Sequence, residues 1–456
     1  MRRILIALLA STGLTTFAHA KDGRTTTVTV YTPGLALVED TRSLDFAAGR
    51  STIQFPDVSA QIRPETAALS ADGVTVIEQN FDFDLLTPQK LMEKALGRTV
   101  KIVRTNPGSG AQVEEEATVL STQQGVVLKV GDHIEVLRDD GVPTRVIFDK
   151  VPENLRARPT LSMLVASNRT ATRPATLRYM TTGLTWKADY VATYNENAGT
   201  IDLQGWVTLT NATGVAYDDA TVRVAAGAIN GGNPSPNPGY YGRNDRGDMG
   251  ANSRVTLFDL PERVTIADRQ NKQIGMVELK GVKAEKVYRS AWFARGGNTS
   301  YSGTGTATKA QVVLRFDAKD GDGKVWRLPR GAIRGFIRDS KGDAQFIGET
   351  QINDIAAGGT VSAPISEAFD IEVQPRMVLD ERLGSDRRRQ WVEYKITNAS
   401  TEDVSVEVEE GRLGPSVKVV SESEPGVALD AYRRQWVVKV PAKGSTTLTV
   451  TFELDS

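Results

Sequence analysis

Cysteine is absent from all 456 residues. Its absence excludes disulfides, thiolate metal sites, cysteine nucleophiles and lipid attachment through an N-terminal cysteine. Histidine is almost absent: His19 and His133 are the only two. Multi-histidine zinc sites are therefore excluded, and a Ser-His-Asp triad has only His133 to draw on. No G-x-S-x-G elbow, S-x-x-K or G-x-x-x-x-G-K-[ST] occurs in the chain. The sequence thus lacks the signatures of serine hydrolases of those types and of the phosphate-cradling loop. Aromatic residues make up only 7%, and the last residues, "FELDS", include no terminal aromatic. A lipid-facing band of the kind an outer-membrane barrel carries is not evident.

An excess of one charge is also missing. Removing Arg2 and Arg3 from the 55 basic residues leaves 53 against 56 acidic, a net charge near −3 with histidine neutral. Such a balance offers no footprint for nucleic acid or for an anionic membrane surface. Past the N-terminus no run is long and apolar enough to cross a bilayer as a helix.

That N-terminus reads "MRRILIALLASTGLTTFAHAKDG". A basic start, an apolar stretch from Ile4 to Phe17 and Ala18-His19-Ala20 before Lys21 form a secretory signal, too short to span a membrane. Cleavage is expected after Ala20, with a periplasmic or secreted product and no membrane insertion of the mature chain.

Most of the mature chain consists of short alternating segments between turns, an all-β pattern. "GLTWKADYVATYN" is one of them. Trp186, Ala188, Tyr190, Ala192 and Tyr194 fall on every second position, while Lys187, Asp189 and Thr193 fall between, as on a strand with one buried and one wet face. Lys187 and Asp189 are expected to be a solvated pair. "RSLDFAAGRSTIQF" reads as two strands joined at Ala48-Gly49. One helix is expected, capped by Thr87, entered through Pro88 and ended by Gly97. The strands after it are expected to curl into a small barrel.

Two segments echo each other: "GWVTLTNATGVAYDDATVRV" from Gly205 and "QWVEYKITNASTEDVSVEV" from Gln390. In both, an alternating strand reaches Thr-Asn-Ala in the same phase and a second alternating strand follows. This spacing fits either two similar β-sandwich units or convergent hairpin chemistry. "NGGNPSPNPGYYGRNDRGDMGAN" and "RGGNTSYSGTGTATK" interrupt the pattern and are expected to be mobile loops. Tyr240 and Tyr241 in the first loop, with Lys187 and Asp189, are candidate contact residues.

Several phrases, spread in one order over nearly the whole mature chain, resemble a bacterial exported family of unknown function related to the mucoidy-inhibitor-A-like proteins. They are "VYTPGLALV", "DFDLLTPQKLMEKALGRTV", "VPENLRARPTLS", "GLTWKADYVATYN", "DLQGWVTLTN", "LPRGAIRGFIRD" and "GDAQFIGE". The resemblance implies an exported, mostly β architecture with an immunoglobulin-like C-terminal part, and it carries over no catalytic residue.

Carboxylate chemistry is what composition leaves open. Asp82 and Asp84 in "NFDFDLL" share a strand face and suit either a solvated edge or a glycosidase pair. Glu114, Glu115 and Glu116 are adjacent on a strand and do not share a face, so they read as a solvated run. "DAKDGDGKV" places Asp320 and Asp322 at alternate calcium-ligand positions. Lys324 occupies the next one, so a hairpin loop is expected instead. Arg246-Gly247-Asp248 is treated as chance, and His133 in "VGDHIEVL" reads as a strand histidine. No catalytic residue, metal site or cofactor is expected.

The expectation is a mostly β, multi-domain β-sandwich protein with a small β-barrel-like insert and one short helix. Its divisions are a signal peptide over 1–20, an N-terminal β domain over 21–85 completed by 147–175, and the helix plus insert over 86–146. A central sandwich occupies 176–365 with mobile loops 230–252 and 295–309, and an immunoglobulin-like sandwich occupies 366–456. The expected function is non-catalytic binding of an envelope protein or polysaccharide; the alternative is a carboxylate-dependent hydrolase acting on envelope polysaccharide.

Overall fold

The structure is a computed structural model. It describes residues 23–455 apart from 83–85, 107, 124, 138–143, 153–154, 228–254, 293–302, 339–341, 386, 412 and 415. The expected signal segment, Asp84, Arg246-Gly247-Asp248, Tyr240 and Tyr241 lie outside the described residues.

The chain is mostly strand. Its first part contains β1 (Thr25–Tyr31), β2 (Leu35–Phe46), β3 (Gly49–Pro56), β4 (Ile62–Ala71) and β5 (Val74–Asp82). Then come α1 (Pro88–Lys94) and five short strands: β6 (Thr99–Thr105), β7 (Gln112–Ser121), β8 (Val126–Val130), β9 (His133–Leu137) and β10 (Thr144–Ile147). The next seven are β11 (Thr160–Ser167), β12 (Ala171–Thr182), β13 (Leu184–Asn195), β14 (Thr200–Asn211), β15 (Tyr217–Ala226), β16 (Thr256–Asp259) and β17 (Val264–Ile266). The next five are β18 (Gln270–Trp292), β19 (Gly303–Thr304), β20 (Thr308–Asp317), β21 (Gly331–Arg338) and β22 (Ala344–Ile352). The last seven are β23 (Thr360–Arg382), β24 (Arg387–Asn398), β25 (Val404–Glu410), β26 (Val417–Glu422), β27 (Val427–Ala428), β28 (Arg434–Val440) and β29 (Gly444–Asp455).

Two compact units result. The first comprises Met1–Trp186 and Leu209–Asn271, the second Lys187–Thr208 and Lys272–Ser456. In the first, one sheet has the order β16-β15-β1-β2-β12-β4, and β11 sits between β3 and β5 in another. Thr87 caps α1 by accepting the Lys90 N–H at 3.2 Å, with Pro88 entering the helix. The strands after α1 form an antiparallel sheet, β10-β6-β7-β8-β9. Met92 and Ala95 from the helix region are buried with Ile102, Val119 and Leu128 of that sheet. Arg104 of β6 pairs with Glu135 of β9 although two strands lie between them. Neighbouring strands lie about 4.8 Å apart, so a flat sheet would hold β6 and β9 about 14 Å apart, at the limit of two fully extended side chains, and the pair fits a curled sheet.

The second unit is built on a long sheet, β22-β21-β13-β14-β18-β20-β23-β24-β29-β26, with β25 joined to β18 and β28. Its C-terminal half is a two-layer sandwich. Val392, Tyr394, Leu448, Val450 and Phe452 of one layer share a core with Val406, Val408, Trp436 and Val438 of the other. β23 runs unbroken through position 365, the expected boundary between the central and C-terminal sandwiches.

The echo between Gly205 and Gln390 extends to hydrogen bonds. Asn211 and Asn398 are both buried. The Asn211 Nδ2 donates to the carbonyls of Val215, Ile266 and Ala267 at 2.8, 3.3 and 3.1 Å. The Asn398 Nδ2 donates to those of Glu402, Val440 and Pro441 at 2.8, 3.3 and 3.1 Å. Each Oδ1 accepts from the backbone and hydroxyl of the residue two further on, Thr213 or Ser400. The strand after each turn takes a parallel neighbour on one side, β1 for β15 and β18 for β25.

One expectation is overturned in part. The described end of the 295–309 loop is paired: Gly303 lies opposite Met377, and the Gly305 N–H donates to the Pro375 carbonyl at 2.8 Å. A Cβ on Gly305 would lie 2.9 Å from the Pro375 ring, so glycine is there for close backbone approach and not for mobility.

Candidate functional site

Lys187 and Asp189 lie on the same face of β13 but not in the same environment. The Lys187 side chain is 66% exposed and that of Asp189 is 9% exposed, so the expected solvated pair is corrected. Thr208 of β14 donates to Asp189 at 2.9 Å, Arg334 of β21 at 3.3 Å and Lys187 at 3.4 Å. Burial works to raise the Asp189 pKa, but these partners outweigh it and hold the carboxyl below its ordinary value. Arg334 is also engaged by Glu349 at 2.8 Å, so a row of paired charges crosses three neighbouring strands. On the other face, Trp186 and Tyr190 are buried as the strand period predicts.

The other sequence candidates among the described residues do not converge. Asp82 accepts from Ser162 at 2.9 Å and lies 3.5 Å from Arg156. His133 is exposed, with Glu135 at 4.0 Å. Glu115 lies 3.6 Å from Arg104, while Glu114 and Glu116 are exposed. Asp320 accepts the backbone N–H groups of Asp322 and Lys324, closing the expected hairpin loop. Among the described residues no group of three acidic or histidine side chains is placed to hold a metal ion.

A groove of about 670 Å³ lies at the open edge of the C-terminal sandwich, with β26 as one wall and Ala428 to Arg434 as the other. Its floor is apolar: Leu413, Val417 and Val419 are half-buried and pack on the sandwich core. The groove is bounded by two contacts. At one, Arg434 grips Glu422 through Nη2 at 2.7 Å and Nε at 2.9 Å, the Trp436 indole N–H donates at 2.9 Å, and the Gly426 backbone at 3.1 Å. Gly426 has no room for a side chain, because a Cβ would sit 2.4 Å from the Trp436 nitrogen. At the other, the Leu413 N–H donates to the Tyr432 carbonyl at 2.9 Å.

The groove's charges other than Lys418 are already matched. Arg433 binds Asp430 at 2.8 Å and the buried Glu409 at 3.3 Å. The Arg434 hydrogen bonds hold the Glu422 carboxyl below its ordinary value against desolvation. The Tyr432 N–H and then Arg433 do the same for Asp430. Both acids are therefore ionised acceptors, suited to orienting a ligand or a wall and not to donating a proton. Sequence reasoning missed this site. Its residues come from three segments between Leu413 and Arg434 that only the pairing of β26 with β29 and of β28 with β25 brings face to face.

No family model matches the chain, and no curated protein matches it.

Proposed function

We propose that the protein is exported to the periplasm, where it binds a component of the cell envelope without catalysis, and that the groove between β26 and Ala428–Arg434 is its ligand site. Export rests on the N-terminal signal pattern. It also rests on the resemblance to the exported family related to the mucoidy-inhibitor-A-like proteins, which would make the C-terminal sandwich immunoglobulin-like. Binding rests on one observation, a groove of about 670 Å³ with an apolar floor and a charged rim on which Arg433 and Arg434 are paired. Ligand sites have this size and this mixture of surfaces. A glycan hydrolase needs one carboxyl kept protonated as general acid, and both groove acids are shifted the other way. Lys187 stays exposed and remains a second contact candidate.

Hydrogen exchange of the mature chain, with and without a soluble envelope extract, tests the site. Protection is expected in the segment from Leu413 to Arg434. Protection confined to other strands, or release of sugars from the extract by the pure protein, would overturn this reading. Export is tested separately: the mature N-terminus should be Lys21, in the soluble periplasmic fraction.

A further inference from the structure

Resting on the binding reading above, we infer that the groove takes an extended peptide segment, added as a new strand along the free edge of β26. The first reason is shape. Every residue from Val417 to Glu422 lines the groove. It therefore follows the strand for roughly 20 Å at about 3.3 Å per residue.

The second reason is an unpaired backbone edge. Among the described residues β26 pairs with β29 on one side only. The Asp455 N–H donates to the Ser416 carbonyl, and the register places Lys418 opposite Glu453 and Val419 opposite Phe452. Hydrogen-bonded and open pairs alternate along an antiparallel ladder. Ser416 and Lys418 therefore direct their peptide groups to β29, while Val417 and Val419 direct theirs away. The Val417 N–H reaches the Gly414 carbonyl at 3.3 Å. By this phase the Val417 carbonyl and both peptide groups of Val419 face away from β29, and no turn or loop hydrogen bond reaches them among the described residues. A bulge after Val419 shifts the phase, and Ser423 again donates to Thr449, so the Glu422 peptide also points outward. Such an edge is a template for another strand.

The third reason concerns what the lining lacks. Its lining residues include no aromatic side chain, and Arg433, Arg434, Glu422 and Asp430 are matched within the protein, which leaves Lys418 as the lining charge without an ion pair among the described residues. A sugar ring would find no aromatic face among the lining residues, and an anionic ligand would find only Lys418, because both arginines are taken. A small apolar ligand would cover the floor and leave the row of peptide groups unmet. An extended peptide meets both, with alternate apolar side chains on Leu413, Val417 and Val419 and its backbone on the edge.

The test uses the full mature chain and a fluorescent, end-blocked peptide of about seven residues, alternating valine and threonine. Anisotropy should show saturable binding, and hydrogen exchange should show the Val419 amide slowed at least about tenfold. The same peptide N-methylated at every second residue keeps its side chains and loses one hydrogen-bonding edge. It should bind at least about tenfold more weakly. Val419→Pro removes the outward donor and should weaken the parent peptide similarly. If that variant misfolds, the Val419 amide of the unmodified protein still decides the matter. Equal binding of the methylated peptide, or an unprotected Val419 amide, overturns strand addition while leaving the groove a ligand site. Binding there of a β-1,4-linked N-acetylglucosamine oligomer in place of the peptide overturns the peptide class. If neither probe binds and envelope extract protects no groove amide, the binding reading fails as well.

Discussion

Replacing Asn398 with alanine should destabilise the second unit by about 3–4 kcal/mol, and Asn211→Ala should do nearly the same to the first. Each asparagine has two N–H groups shared among three carbonyls and an oxygen that accepts twice. That makes four hydrogen bonds at about 1 kcal/mol net apiece, with some recovery at the half-buried Ser400 and less at the buried Thr213. Aspartate is the sharper substitution. It puts a carboxylate oxygen where Nδ2 faces three carbonyls at 2.8–3.3 Å, in a site with 1% exposure or less. At pH 7 Asn398→Asp should therefore be less stable than Asn398→Ala, although it is closer in size. Its folded pKa should be raised above the unfolded value near 3.9. The variant's stability is then fullest below that value and is lost as pH rises through the folded pKa. Denaturant unfolding from pH 3 to 8, with hydrogen exchange at the Thr213 and Ser400 amides, measures both effects. An aspartate variant as stable as wild type at pH 7, or alanine penalties below about 1 kcal/mol, would refute the hydrogen-bond reasoning. Penalties at the two sites differing by more than about 2 kcal/mol would refute their equivalence.

On β13, Trp186→Ala or Tyr190→Ala should cost about 3–5 kcal/mol and Lys187→Ala at most about 1, while Asp189→Ala should cost about 1–3 because it removes the acceptor of Thr208 and one of the two acids that hold Arg334; denaturant melts of the four variants check the order. Gly331→Ala should destabilise by about 1–3 kcal/mol, since a Cβ there would lie 2.3 Å from the Ala188 carbonyl across the parallel β13–β21 ladder, and loss of exchange protection along β21 would localise the damage. Glu422→Gln should cost about 1–3 kcal/mol at pH 7. Because the Glu422 carboxyl titrates below its unfolded value, its contribution is whole above about pH 4.3 and is lost as pH falls through the folded pKa. The difference between wild type and Glu422→Gln should therefore narrow on acidification, and a constant difference would mean the carboxylate is not what holds the clasp.

Strand identity and strand faces were legible because they are local. The two-residue period around Trp186 and Tyr190 predicts their burial, and the Thr87-Pro88 start predicts α1. The matching phase of the two Thr-Asn-Ala turns pointed to equivalent structure, and the shared asparagine hydrogen bonds are its physical content. Asp189 was not legible, because its cover comes from Thr208 and Arg334, 19 and 145 residues away. A polar strand face looks the same in sequence whether water or neighbouring side chains cover it. The paired end of the 295–309 loop failed for a related reason. Glycine, serine and threonine signal mobility by default, and only contact with Pro375 shows that Gly305 serves close approach.

The groove was the least legible feature, because whether a strand is central or at an edge is a property of its neighbours and not of its own residues. β26 reads "VKVVSE" and β28 reads "RQWVVKV", and both alternate well enough to suit either position. β28 is covered by β25 on one side and meets β27 on the other, whereas among the described residues β26 has β29 alone. Edge strands invite unwanted pairing, and proteins blunt them with bulges, charges or short length. β26 has the bulge, the charge of Lys418 and only six residues. These devices limit how many residues can add to it without closing the edge. The Val417 carbonyl and the Val419 peptide groups before the bulge stay open above an apolar floor, an arrangement that suits one short, selected strand better than open-ended aggregation.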